Sequence, residues 1–204
     1  MADWSALVAA FAATYRAAPD GGSAAIRAHV DTVLARIAGA GREAIATTPR
    51  SLPVTAHLPR ALDLGAAGPM APLATALGAV AGDLTWEYGY KEMPADLARD
   101  YGYCEILGPR GPLPCPDLIL GFVLFAPGAV YPEHAHPGIS ESYLSVAEHW
   151  SQNDAGLPAP GSLVFNAPGT PHRITVGRDA PCLLGWAWTG APDRLAAPGM
   201  VLNA

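Results

Sequence analysis

The 204-residue sequence has little charge and little cysteine. Only 15% of the residues are charged while half are hydrophobic, a balance that excludes a disordered chain. The 12 lysines and arginines are scattered and the net charge is −6, so we expect neither a nucleic acid nor an anionic membrane surface as partner. No apolar stretch is long enough to span a bilayer, and the N-terminal residues lack the basic and apolar segments of a signal peptide. Cys104, Cys115 and Cys182 are odd in number and form no Cys-x-x-Cys motif, which predicts reduced thiols in a cytoplasmic protein.

The first third of the sequence is rich in alanine and has helical periodicity. Asp3 and Ser23 are placed to cap two helices, and the apolar positions after each cap recur every three or four residues. We further expect a short helix over 42–47 and another over 69–82. The sequence therefore predicts an N-terminal helical region, residues 1–83, that covers a second region or forms a dimer contact.

From residue 84 onward the pattern changes to short apolar stretches separated by glycine, proline, asparagine and aspartate. Many short strands at close spacing are typical of an all-β barrel or jelly roll. The second region, residues 84–204, is thus predicted to be a β-barrel. Its expected strands lie at 84–90, 101–108, 118–125, 131–137, 142–150, 162–166, 172–176 and 182–189.

Three histidines and one glutamate have the spacing of a metal site. His134 and His136 are two residues apart, so on a strand both point to the same side. Glu141 follows after a short turn, and His172 comes about thirty residues later. A His-x-His pair also occurs by chance, but half of the six histidines fall in this pattern. We predict that the four residues hold one divalent ion, and this donor set suits Zn, Fe, Mn, Ni or Cu.

Aromatic residues surround these ligands in the sequence. Tyr143 shares the face of Glu141, and Tyr131 lies three residues before His134. A divalent cation nearby favours the phenolate, so Tyr143 is a candidate general base; alternatively, it packs in the barrel with its hydroxyl bonded to a neighbour. Aromatic faces also attract onium cations. The aromatic residues that could form such a wall, or simply fill the core, are Trp86, Tyr88, Tyr90, Trp186 and Trp188.

Two glycine-punctuated segments carry the ligands and resemble a known pair of motifs. The segment Gly-x5-His-x-His-x4-Glu begins at Gly128, and the second runs from Gly161 to His172. Both resemble the motifs of the cupin superfamily, which are small antiparallel β-barrels with a metal in the mouth. The glycine that usually ends the first motif is replaced here by His149 or one of its neighbours, Glu148 and Trp150, and the second motif has Ala167 and Val176 in place of a proline and an asparagine.

Further segments narrow the resemblance. The segment Leu-Phe-Ala-Pro-Gly-x-x-Tyr-Pro-Glu-His-x-His-Pro, the later Glu-x-Tyr and the final Trp-x-Trp-Thr-Gly are similar to those of the bacterial cupin-type dimethylsulfoniopropionate (DMSP) lyases, over about residues 105–190. The resemblance implies that His136, Glu141, His172 and Tyr143 surround the metal. It places His134 and Tyr131 where the family keeps a further histidine and a tyrosine beside the substrate.

The resemblance also implies a reaction, namely β-elimination of DMSP to dimethyl sulfide and acrylate, with Tyr143 as the base and Tyr131 as a second catalytic candidate. Trp186 and Trp188, with Tyr88 or Tyr131, would hold the sulfonium. We therefore expect a mainly β protein with N-terminal helices and a cupin barrel. Its partner would be a small zwitterionic substrate, and a homodimer is one option for its assembly. Two alternatives stay open: another metal-dependent cupin enzyme, such as a dioxygenase or an isomerase, and a cupin that binds a small ligand without catalysis.

Overall fold

The N-terminal part of the chain is helical in the computed structural model, which describes residues 2–41 and 43–199. Helix α1 spans Trp4–Ala17, and the carboxylate of Asp3 accepts a hydrogen bond from the N–H of Ala6. Helix α2 spans Ala24–Gly39 and begins after Ser23, whose hydroxyl accepts from the N–H of Ile26. Both caps satisfy N–H groups that have no partner within the helix. The first two predicted helices are confirmed.

The following helices are shorter than predicted and partly different. Residues 43–47 form no helix, and the first residue of that prediction, Arg42, lies outside the described residues. The helix predicted over 69–82 is α4, Ala71–Ala79, followed by a 3-10 turn, Ala81–Asp83. A 3-10 turn at Pro53–His57 and helix α3, Leu58–Ala66, were not predicted. Both have a proline near the start, a position where the missing N–H costs nothing.

Ten strands follow in the described part of the chain, with helix α5, Ala95–Asp100, after the first strand and α6, Pro192–Ala196, after the last. The predicted strand over 84–90 contains only two strand residues, that over 131–137 ends at His134, and that over 142–150 is divided between two strands. The strands are β1 (Trp86–Glu87), β2 (Tyr101–Gly108), β3 (Leu113–Pro114), β4 (Leu118–Phe125), β5 (Val130–His134), β6 (Ile139–Ala147), β7 (Trp150–Gln152), β8 (Leu163–Asn166), β9 (His172–Val176) and β10 (Cys182–Gly190).

The strands form two sheets. The larger has the order β1-β2-β4-β10-β6-β8, with β3 parallel to β2 at one edge, and the smaller has the order β5-β9-β7. All other pairings are antiparallel. The larger sheet is buried on both faces. Because side chains alternate along each strand, neighbouring residues pack into different cores. In β4, for example, Leu120 and Phe122 belong to the core beneath the helices, whereas Ile119 and Val123 belong to the core shared with the smaller sheet.

Close packing joins the helices to the larger sheet. The ring of Phe11 on α1 lies 3.2 Å from the position that a Cβ would take at Gly185 on β10, so the absence of a side chain there lets the helix approach the sheet.

The predicted division at residue 83/84 stays a prediction, and its outer limits lie partly beyond the described residues. Within the described ranges, no helix is both long and apolar enough to cross a membrane.

Candidate metal centre

The four predicted ligands meet at one end of the space between the two sheets. His134 ends β5, His172 begins β9, and these two residues are paired across the strands. His136 lies just beyond β5, and Glu141 lies on β6 of the larger sheet. The turn between them contains Gly138, whose φ of 76° suits glycine. One donor atom from each of the four residues lies within 4.8 Å of the others, and all four residues are buried.

The imidazole nitrogens are arranged to accept a cation. Nδ1 of His134 lies 2.8 Å from the carbonyl oxygen of Pro132, and Nδ1 of His172 lies 2.9 Å from that of Thr170. Because a carbonyl only accepts hydrogen bonds, each Nδ1 carries a proton, so in the neutral ring Nε2 keeps its lone pair. Nε2 of His134 and Nε2 of His136 are buried and have no hydrogen-bond partner among the described residues, and Nε2 of His172 is buried 2.8 Å from Oε2 of Glu141. Buried polar atoms are rarely left unpaired, so these residues fit a bound metal ion.

The charge state of the cluster also favours a cation. Burial raises the pKa of Glu141, but His136, a hydrogen bond with His172 and the other imidazoles outweigh burial and hold that pKa well below its usual range. Burial is also the main reason that the pKa of His134 falls to about 4 and that the pKa of His136 is lowered. The site therefore presents a carboxylate and at least two neutral imidazoles at neutral pH, which is the protonation state that metal binding needs.

A cavity of about 600 Å³ opens onto three of these residues, His134, His136 and Glu141, and its volume is within the usual range for small-molecule sites. Aromatic side chains make up much of its wall, and two cationic side chains line it as well, Lys91 and Arg110. Arg110 forms an ion pair with the buried carboxylate of Glu105. The aromatic residues that line the cavity are Tyr90, Tyr101, Tyr103, Tyr131, Tyr143, Trp186 and Trp188.

The two predicted tyrosines both lie in this cavity. Tyr143 faces the same side as Glu141, as strand parity predicts, and its ring is 6.0 Å from that of His172. Burial, with the charge of Glu141 adding to it, raises the pKa of Tyr143 well above its ordinary value. The ring of Tyr131 meets that of His134 edge-on at 4.5 Å, and its hydroxyl donates to the hydroxyl of Tyr101 at 3.3 Å.

The predicted aromatic wall is brought together only in part. Trp186 and Trp188 line the cavity and meet edge-on at 4.9 Å, and Tyr90 lines it as well. Tyr88 is not among the lining residues; its hydroxyl donates to the carbonyl of Ala98 at 2.6 Å. Trp86 packs in the core beneath the helices. The aromatic alternation over 86–90 does not bring all three residues to the cavity, because the strand there is only two residues long.

Comparison with known proteins identifies the family. A sequence model of the dimethylsulfoniopropionate lyase family matches residues 25–184. The chain is 55% identical to the putative dimethylsulfoniopropionate lyase DddL of Cereibacter sphaeroides, over 99% of this chain and 88% of that protein. The chain belongs to the dimethylsulfoniopropionate lyase family. Accordingly, the prediction of a carbon–sulfur lyase is confirmed at the level of the family.

Solved DMSP lyases share the fold. A chain from the crystal structures of the DMSP lyases RdDddP and RnDddQII superposes with a TM-score of 0.69 at 25% identity, covering 93% of both chains. The DMSP lyase DddQ from Ruegeria pomeroyi gives a TM-score of 0.65 at 25% identity, covering 84% of this chain and 94% of that one. The predicted fold class, a cupin-type antiparallel β-barrel preceded by helices, is confirmed.

Several residues at the site of this DMSP lyase family member were not predicted. Tyr101 begins β2, and Tyr103 and Arg110 follow on and after the same strand. Asn166 donates to a carboxylate oxygen of Glu141. The first three residues precede the ligands by at least 24 positions, and Asn166 is 25 positions from Glu141 although only six from His172; strand pairing brings them close. The sequence offered one signal for these residues: Asn166 is a polar residue at the end of a short strand.

Proposed function

We propose that this protein cleaves DMSP to dimethyl sulfide and acrylate at a divalent metal centre held by His134, His136, Glu141 and His172. The observation that carries the proposal is the convergence of three buried imidazoles and one carboxylate, of which His134, His136 and Glu141 line an aromatic cavity together with Tyr143. Membership of the DMSP lyase family supports the substrate. The donor set suits Zn, Fe, Mn or Ni.

The proposed reaction is an elimination in which the chain's own residues orient the substrate and move one proton. A bound divalent ion would supply Lewis-acid polarisation of the substrate carboxylate and would favour the phenolate form of Tyr143. Tyr143 then takes the proton from the carbon next to the carboxylate. The C–H electron pair becomes the new C=C bond, and the C–S pair leaves with sulfur as neutral dimethyl sulfide. Acrylate remains, and no redox partner is needed.

The sulfonium end of the substrate suits the aromatic wall. A dimethylsulfonium group has no hydrogen bonds to offer, so the faces of aromatic rings are its natural contacts, worth about 1–2 kcal/mol in a dry site. Trp186 and Tyr131 present such rings on two sides of the cavity, and the ring of Trp188 adjoins that of Trp186. We assign these three residues to sulfonium binding. Tyr88 has no place in this wall, because it does not line the cavity.

The test is to supply purified protein of known metal content with DMSP, measure dimethyl sulfide in the headspace and identify acrylate by NMR. Tyr143→Phe should lower kcat by about 10²–10⁴-fold, the usual contribution of a general base, while metal content stays the same. Tyr15→Phe is the matched control, because it removes a buried hydroxyl on the opposite side of β6, and it should retain turnover.

Three outcomes would contradict the proposal. If Tyr143→Phe kept full turnover, Tyr143 would not be the base. If the metal-loaded wild-type protein released no dimethyl sulfide, DMSP cleavage itself would be wrong. Oxygen consumption by the iron-loaded protein, with no reaction of sulfonium compounds, would favour a dioxygenase.

Two further proposals concern the setting of the reaction. We propose a cytoplasmic location, which is supported by three cysteines that are buried and form no disulfide within the described ranges. A homodimer also stays a prediction. Gel filtration with light scattering tests the assembly, and fractionation of the native host tests the location.

A further inference from the structure

We propose that Trp188 and Asn166 are positioning residues for the metal ligand Glu141, and that Gln152 holds Asn166 in place. The inference rests on the metal centre of the proposed function. It gives Trp188 a role beyond its ring surface, since its N–H is directed at Glu141.

Strand register places the two donors on either side of Glu141. Glu141 lies on β6 directly opposite Trp188 on β10 and directly opposite Asn166 on β8. Nε1 of Trp188 donates to Oε1 of Glu141 at 2.6 Å, and Nδ2 of Asn166 donates to Oε2 at 3.2 Å. Each carboxylate oxygen therefore receives one hydrogen bond from one flanking strand, and all three side chains are buried.

Gln152 fixes the amide of Asn166 from the smaller sheet. Nε2 of Gln152 donates to Oδ1 of Asn166 at 2.7 Å, and Nδ2 of Asn166 donates to Oε1 of Gln152 at 3.1 Å. A flipped Asn166 amide would turn its carbonyl oxygen toward Oε2 of Glu141, where two acceptors would repel each other. The observed orientation thus uses both N–H groups of the amide, one for Glu141 and one for Gln152.

These bonds determine how Glu141 can meet an ion. Two donors fix the plane of the carboxylate and favour its charged form, because both bonds strengthen with negative charge on the oxygens. Partners of this kind orient metal ligands, and their loss usually costs 10–100-fold in metal affinity. The neighbouring Trp186 shows the contrast: its Nε1 is also buried, but no hydrogen-bond partner for it lies within the described part of the chain.

The two tryptophans provide a matched experiment. Trp188→Phe keeps an aromatic ring but removes the N–H that donates to Glu141. Trp186→Phe removes an N–H for which the described residues offer no acceptor. The test measures the dissociation constants of Zn²⁺ and Co²⁺ by competition with a chromophoric chelator, and it records the visible spectrum of the Co²⁺ protein. Trp188→Phe should weaken binding of both ions by about 10–100-fold and shift the Co²⁺ bands. Trp186→Phe should leave both constants and the spectrum as in the wild type.

A second variant protects the test against misfolding. Gln152→Leu lies at a half-buried position and removes the support of Asn166 without touching Glu141, so it should weaken metal binding less than Trp188→Phe does. The proposal would be overturned if Trp188→Phe and Gln152→Leu both kept wild-type dissociation constants and spectra. It would also be overturned if Trp186→Phe lost as much metal affinity as Trp188→Phe, because that result would indicate packing alone. Because the readout is metal binding, a wild-type protein that fails to cleave DMSP would refute the proposed function and leave this test valid.

Discussion

The buried His29 should make the stability of this protein fall below neutral pH. His29 lies on α2 with Nε2 2.9 Å from the hydroxyl oxygen of Ser142, which is also 2.8 Å from the hydroxyl of Tyr15. Burial lowers the pKa of His29 to about 4; Glu141 acts against this change and Arg36 adds to it. The imidazole is therefore neutral in the folded protein at pH values where it is protonated in the unfolded chain.

The sign and size of the effect follow from the two pKa values. The folded pKa is about 4 and the ordinary value is 6.5, so the contribution is fully present above pH 6.5 and is lost as the pH falls toward 4. Each unit of pKa corresponds to about 1.4 kcal/mol. Between pH 7.5 and pH 5, His29 alone should therefore lower the free energy of unfolding by about 2 kcal/mol.

His29→Gln tests this value, since glutamine can still bond the hydroxyl of Ser142 but does not titrate. Urea unfolding of both metal-free proteins gives the free energies at pH 7.5 and pH 5. The metal-ligand imidazoles titrate in both proteins, so their contribution cancels in the comparison. The stability advantage of the wild type over the variant should shrink by about 2 kcal/mol from pH 7.5 to pH 5. Parallel pH profiles for the two proteins would refute the reasoning.

Two further predictions concern packing around the barrel. Gly121→Ala would place a Cβ against the carbonyl oxygen of Cys104 and 2.8 Å from Nε1 of Trp186; we expect a loss of about 1–3 kcal/mol in urea unfolding, and wild-type stability would show that the sheet can open there. Phe11→Ala removes a fully buried ring from between α1 and the larger sheet. It should cost about 3–5 kcal/mol, and a cost below 1 kcal/mol would mean that the helices are only loosely joined to the barrel.

The sequence was sufficient to predict which residues converge as candidate metal ligands, because part of their geometry is local. His134 and His136 are two residues apart, and parity placed Tyr143 on the face of Glu141. The fourth ligand, His172, required recognition of a second motif, since no local rule links it to the first. The glycine that usually ends the first motif shows a similar limit. None of residues 148–150 is glycine, yet Glu148 has a φ of 68°, so a left-handed residue is present although the glycine that usually signals it is absent.

Other features depended on pairing that no local pattern records. Asn166 and Trp188 are 25 and 47 residues from Glu141, and only the register of β8 and β10 on β6 makes them its neighbours. Helix α3 was missed for a different reason, since a nine-residue helix that begins with proline offers too short a period to distinguish it from a turn.

The alternation along β6 connects the helical region to the chemistry. Glu141 and Tyr143 face the cavity, so the hydroxyl of Ser142 between them must face the opposite side, where α1 and α2 provide Tyr15 and His29 as its partners. Three consecutive residues thus join the ligand, the proposed base and the helices. Because a strand cannot shift by one residue without exchanging its two faces, hydrogen bonds on the helical side help to fix the register on the cavity side. The helices α1 and α2 therefore contribute to the site although none of their residues lines the cavity.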